Sequence, residues 1–167
     1  LFAVGGTNPF GVRMPGEAAT VQRLAPLPER PTLMDYFVHR FGPASLLAPH
    51  VLRSADYARQ QGFDEEVVVA CLLHDLGQAL IKTDHGWWSA QLVEPYVSER
   101  VSFAIKYHQA LRFYPDQSVG YDYPDNYNYI FGCDYVPPAY IRSAYEECRQ
   151  HRWYMAAREI TICDLYG

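Results

Sequence analysis

Apolar and polar positions divide the chain into an unpatterned front, a run of helices, one long irregular stretch and two closing helices. The firmest pattern is Val67-Val68-Val69-Ala70-Cys71-Leu72-Leu73-His74-Asp75-Leu76-Gly77-Gln78, an apolar run closed by an adjacent histidine and aspartate. Read as a helix, it places Val67, Cys71, His74 and Gln78 on one face, with Val68, Leu72 and Asp75 beside them. Almost every side is apolar, so the run predicts a helix at the centre of the fold. Asp64 is its N-cap, Glu65 and Glu66 complement its first turn, and it ends near Leu80. Upstream, Thr32 caps a short helix through Arg40, Gly42-Pro43 breaks it, and a second helix spans about 44–61 before Gly62. Pro49 fits that helix only near its first turn. Downstream, helices are predicted over about 85–96, over 99–111 behind a Ser98 cap, from Pro137-Pro138 to about 150, and over 151–166. No segment alternates securely enough for a strand. The predicted class is all-α, a compact bundle of six or seven helices.

Two stretches lack a helical period. Residues 1–31 are rich in Gly and Pro and read as an extended N-terminal arm, a candidate for subunit contacts in a homo-oligomer. Residues 32–167 form the helical core. Inside it, residues 113–137 are dominated by Pro, Asp, Asn and Tyr. A loop of that length in a small domain is usually functional, and its aromatic load predicts a packed lid.

Composition narrows the partners. A chain of 167 residues suits one domain with a real core. The net charge of -5 argues against a nucleic-acid surface. No apolar run approaches the ~20 residues of a membrane helix, and no secretory signal pattern opens the sequence. Cys71, Cys133, Cys148 and Cys163 form no CxxC pair, so they read as reduced thiols of a cytoplasmic protein rather than a zinc–thiolate site.

The candidate chemistry lies in imidazoles and carboxylates. His50, His74, His85 and His108 each fall on a separate predicted helix or at its start. Asp75 adjoins His74, and Asp164 sits among apolar neighbours in the last helix. A carboxylate in such surroundings is costly unless it is paired or binds a metal. Four imidazoles and two carboxylates are what a two-metal site requires, and they suit iron, zinc or manganese. Singly, each residue has a plainer reading: a core or surface histidine for His50 and His108, a helix start for His85, and an ion pair with Arg152 or Arg158 for Asp164. The conjunction is what carries specificity.

In this order the residues resemble the HD-domain superfamily: a His, then His-Asp, then further His, then a late Asp. The match covers residues 41–167. The resemblance implies that His50, His74, Asp75 and Asp164 hold one metal, that His85 and His108 hold a second, and that Asp75 bridges. Within the superfamily the chain looks like the mixed-valent diiron oxygenases, myo-inositol oxygenase and the enzymes that cleave hydroxylated phosphonates. Three features carry this: His74-Asp75-Leu76-Gly77, the short spacing from His85 to His108, and Arg112 four residues after His108, where the phosphonate branch has a cation. Many HD phosphohydrolases have Lys at the position of Gln78, although inositol oxygenase does too. The phosphonate enzymes also place a gating Tyr and Glu before the first His. Here that stretch is Phe41-Gly42-Pro43-Ala44, so a gate is absent or comes from Tyr121, Tyr123, Tyr127, Tyr129 or Tyr135.

The resemblance implies an Fe(II)/Fe(III) pair that uses dioxygen to cleave a C–C, C–P or C–N bond of a small hydroxylated or aminated, anionic substrate. Asp75, Gln78 and Arg112 would be the catalytic group, with Arg112 orienting the anionic end. The same ligands carrying Mn or Zn would instead serve a two-metal phosphohydrolase acting on a nucleotide or other phosphate ester. An inactive helical module is the third reading.

Overall fold

The computed structural model describes residues 25–41, 47–79, 81 and 84–167. The expected arm lies mostly outside these residues, as do positions 42–46, where the gate comparison falls. The chain divides into two units, residues 1–42 and 43–167. In the first, Thr32 and Asp35 form a capping box for α1 (Leu33–Tyr36), and a π-helical turn follows over Phe37–Phe41.

Among its described residues the second unit carries seven further α-helices: α2 (Leu47–Gln60), α3 (Glu65–Leu73), α4 (His85–Val93), α5 (Glu99–Leu111), α6 (Asp125–Phe131), α7 (Ala139–Arg149) and α8 (Tyr154–Asp164). No strand occurs among the described residues, so the class is all-α as the sequence predicts. On α2 the buried residues Val51, Ser54, Ala55 and Ala58 follow the helical repeat. Pro49 lies in its first described turn, where the missing N–H costs nothing. Asp64 caps α3 by accepting from Val67 N, and Ser98 caps α5 by accepting from Val101 N. Both caps fall where the sequence sets them.

The centre is shared. α5 buries Val101, Ala104, Ile105, Tyr107, His108, Ala110 and Leu111, and it packs against α3, α4, α7 and α8. The sequence puts α3 at the centre alone, because its run is more uniformly apolar. In the fold Val68 and Leu72 are only half-buried, and it is α5 that most of the other helices meet.

Two boundaries differ from expectation, and both bear on function. α3 stops at Leu73, seven residues short of Leu80, and passes through a turn at His74–Asp75 into a 3-10 turn over Leu76–Ala79. The stretch 113–137 is not one loop. It contains a short 3-10 turn at Gln117–Val119, an isolated bridge between Asp116 and Tyr121, and helix α6. Pro124 starts α6 and Gly132 ends it in a positive-φ conformation, so the helix is bracketed by the residues that hid it in the pattern.

Arg158 ties this stretch to the bundle. It is fully buried on α8, and its guanidinium donates to the carbonyls of Leu111 and Tyr114 and to Tyr154 Oη. The rings of Tyr121 and Tyr154 flank it at 4.7 and 5.5 Å. No helix among the described residues is long and apolar enough to cross a membrane.

Candidate metal centre

Five helices contribute to one cluster. His50 lies in the first described turn of α2, and His74 and Asp75 sit in the turn after α3. His85 opens α4, His108 faces inward from α5, and Asp164 closes α8. The early end of α3 explains how neighbours can share a target. Adjacent residues on an α-helix do not face each other. The turn after Leu73 lets both tips converge, with His74 Nε2 3.6 Å from Asp75 Oδ1.

The two oxygens of Asp75 face different partners. Oδ2 lies 3.4 Å from His50 Nε2, while Oδ1 lies 3.2 Å from His85 Nε2 and 3.9 Å from His108 Nε2. Asp164 Oδ1 lies 3.0 Å from His50 Nε2 and 3.5 Å from His74 Nε2. Three overlapping triads result: His50–His74–Asp75, His74–His108–Asp164 and Asp75–His85–His108, each with its ligand atoms within 4.8 Å of one another. The six sequence-nominated side chains therefore meet in one place.

Local bonds set which ring nitrogen faces inward. His74 Nδ1 donates to the carbonyl of Cys71 at 2.7 Å, and His108 Nδ1 donates to that of Ile105 at 2.6 Å. Each Nε2 is thereby turned toward the cluster, the orientation that an Nδ1–H bond to a carbonyl gives to ligating histidines. Thr161 Oγ1 donates to the carbonyl of His108 and joins α8 to the same turn. α4 approaches α5 closely because Gly86 has no side chain: a Cβ there would lie 3.1 Å from His108 Cε1 and from the Ile105 carbonyl.

The donor set fits a metal. Asp75 Oδ1 and His108 Nε2 are buried and have no hydrogen-bond partner. Buried polar atoms in that condition are costly, and a cation would satisfy both. Imidazole and carboxylate together suit iron, zinc or manganese. The electrostatics agree. Burial opposes protonation of His74, but Asp75 and Asp164 outweigh it and lift its pKa to about 9. Burial also opposes ionisation of Asp75 and Asp164. The neighbouring His74 and His85 keep Asp75 ionised, and Arg112, His50 and His74 keep Asp164 ionised. His108 is driven well below its ordinary range by burial and by His74 and His85, so its lone pair stays free.

Gln78 and Arg112 flank the ligands. Gln78 Nε2 donates to Asp75 Oδ2 at 2.9 Å, so it steadies the carboxylate whose two oxygens face opposite ways. Arg112, the C-cap of α5, donates through one terminal nitrogen to Asp164 Oδ2 at 2.9 Å. Its guanidinium lies 5.3 Å from the Tyr127 ring centre, and Tyr121 Oη donates to its carbonyl. Its Nε is buried without a hydrogen-bond partner. Part of the guanidinium is thus committed to the Asp164 carboxylate.

A cleft of about 460 Å³ opens onto His50, Asp75 and Asp164. Gln78 and Arg112 line it, and α6 supplies Asn126, Tyr127, Ile130 and Phe131. Of the five tyrosines named from sequence, Tyr127 alone lines this cleft, and it is buried; Tyr121 sits behind Arg112, and Tyr129 is 82% exposed. α6 has no periodic signal in the sequence, and the contributions of Gly86, Thr161, Ile130 and Phe131 are visible only in the fold. A second hollow of about 440 Å³, walled by Asp116, Tyr145, Arg149 and Tyr154, includes none of the six ligand candidates.

Comparison with protein families matches residues 47–129 to the HD domain. No curated protein matches the chain.

Proposed function

We propose, from the match of residues 47–129 to the HD domain and from the buried His–Asp cluster, that the protein is a two-metal, non-haem diiron oxygenase of the HD-domain family. It would use dioxygen to cleave a C–C, C–P or C–N bond of a small hydroxylated or aminated anion. The observation that supports the two-metal reading is Asp75, whose Oδ2 reaches His50 while its Oδ1 reaches His74, His85 and His108.

His50, His74 and Asp164 would hold one ion, His85 and His108 the other, and Asp75 would serve both. Bound iron would supply Lewis-acid and redox chemistry toward the substrate and dioxygen. The chain's own groups do the rest. The bonds from His74 and His108 to backbone carbonyls fix both rings with Nε2 toward the cluster, where a bound cation would replace the proton that Asp75 and Asp164 favour on His74. Gln78 steadies the Asp75 carboxylate by donating to Oδ2. Arg112, kept cationic by Asp164 despite its burial, would orient the anionic end of the substrate at the cleft floor. Tyr127 would close the opposite wall and exclude water.

A phosphohydrolase reading is less well supported by the cleft. Arg112 is the one Lys or Arg that lines it among the described residues, and it is already paired with Asp164. Sites that transfer phosphoryl groups usually add further cations to the metals to offset developing charge. The test is oxygen dependence. Anaerobically purified, iron-loaded protein should give the EPR signal of a mixed-valent pair and consume dioxygen with a hydroxylated or aminated acid. Turnover of phosphate esters at equal rates with and without dioxygen would overturn the oxygenase reading.

A further inference from the structure

The cleft has two unlike halves. Its floor is polar, with His50, Asp75, Gln78, Arg112 and Asp164. Its outer wall is apolar, with Leu47, Ile130, Phe131 and Leu165. Two of these are open to solvent although they are large and apolar: Ile130 is 54% and Leu165 38% exposed. Apolar side chains left open beside a polar, charged floor are costly in water and favourable against an apolar ligand. The volume of about 460 Å³ falls in the range of small-molecule sites, and the one cleft is lined by both groups of side chains.

We infer that the substrate is amphipathic, with an anionic, hydroxylated or aminated head at the floor and an apolar tail along Leu47, Ile130, Phe131 and Leu165. This rests on the proposed two-metal reading for the head and adds the tail. α6 is then the element that selects the substrate. Tyr127 fixes the boundary between the halves, because its ring faces the Arg112 guanidinium and also packs edge-on against Phe131.

Straight-chain 2-hydroxycarboxylates from glycolate to 2-hydroxyoctanoate are the probe, titrated into metal-loaded protein by calorimetry under anaerobic conditions. Affinity should rise by about two- to fourfold for each added methylene until the wall is filled. The double substitution Ile130→Ser and Phe131→Ser should flatten that rise, bringing the ratio of affinities for 2-hydroxyoctanoate and glycolate toward one. Should that variant fail to fold, Leu165→Ser, made at the end of α8 rather than on α6, should reduce the slope in the same sense. Affinity that is flat or falls with chain length, while glycolate still binds, would overturn the tail and leave the metal reading standing. Failure of every member to bind to protein that holds its metals would overturn both.

Discussion

Asp75 is the residue on which the site turns. Two features tie it in place: the break after Leu73, which aims it with His74, and the Gln78 amide on Oδ2. Asp75→Asn keeps the shape but removes the charge and the anionic bridge. We expect this variant to fold and to lose at least one metal, as read by metal analysis beside a circular-dichroism spectrum. Gln78→Leu should be milder, weakening metal affinity by about tenfold, since it acts only through the ligand it holds. Equal losses from both would mean that Gln78 touches the metal or that Asp75 does not. Gly86→Ala places a methyl carbon 3.1 Å from His108 and the Ile105 carbonyl. It should cost about 1–3 kcal/mol in urea unfolding and weaken the His85–His108 side of the site first.

Among the elements, α6 and the segment before it explain why part of the site could be read from the sequence and part could not. The ligands were legible because burying a charge or an imidazole is rare enough that six such positions, spread over an apolar pattern, stand out. Caps at Asp64 and Ser98 were legible because a single side chain satisfies them locally. The end of α3 was not, since nothing in Leu76-Gly77-Gln78-Ala79-Leu80 breaks an apolar helix by itself. There the close packing of Gly77 against α4 decides, with its N–H donating to Ser89 Oγ and its α-carbon too near the His85 carbonyl for any side chain. α6 was hidden because Tyr, Asn and Asp have weak helix preference and its stability comes from aromatic packing with Phe113 and Tyr123. Arg158 anchors the stretch that leads to it. Arg158→Leu strands the Leu111 and Tyr114 carbonyls and should cost about 3 kcal/mol or more by chemical denaturation. A loss under about 1 kcal/mol would mean that water replaces the guanidinium without penalty.

Across the whole helical unit, acid should loosen the outer ties before the core. Arg100 holds Asp64 and Ser98 holds Glu66, and both carboxyls lie below their ordinary range for these reasons. Hydrogen bonds from Ser118 and Tyr154 lower Asp116 in the same way. A depressed folded pKa means stability that is complete above the unfolded value and is lost as pH falls through the folded one. The melting temperature should therefore drop as pH is lowered below about 4. Arg100→Met should flatten that drop, by a small margin because Asp64 and Glu66 are half exposed to screening solvent. Metal binding gives the opposite handle on the same fold. Ions bound by side chains from five helices would stabilise only the folded state, so chelation at neutral pH should lower the melting temperature, and resupply should restore it.

The central claim is that His50, His74, Asp75, His85, His108 and Asp164 together cage a pair of ions. The direct measurement is the metal-to-protein ratio of chain purified without dioxygen and supplied with iron, determined by elemental analysis against amino-acid quantitation. Two ions per chain, falling to one or none in His85→Ala, is the expected result. A ratio that stays at one or below in the unaltered protein, unchanged by His85→Ala, would contradict it.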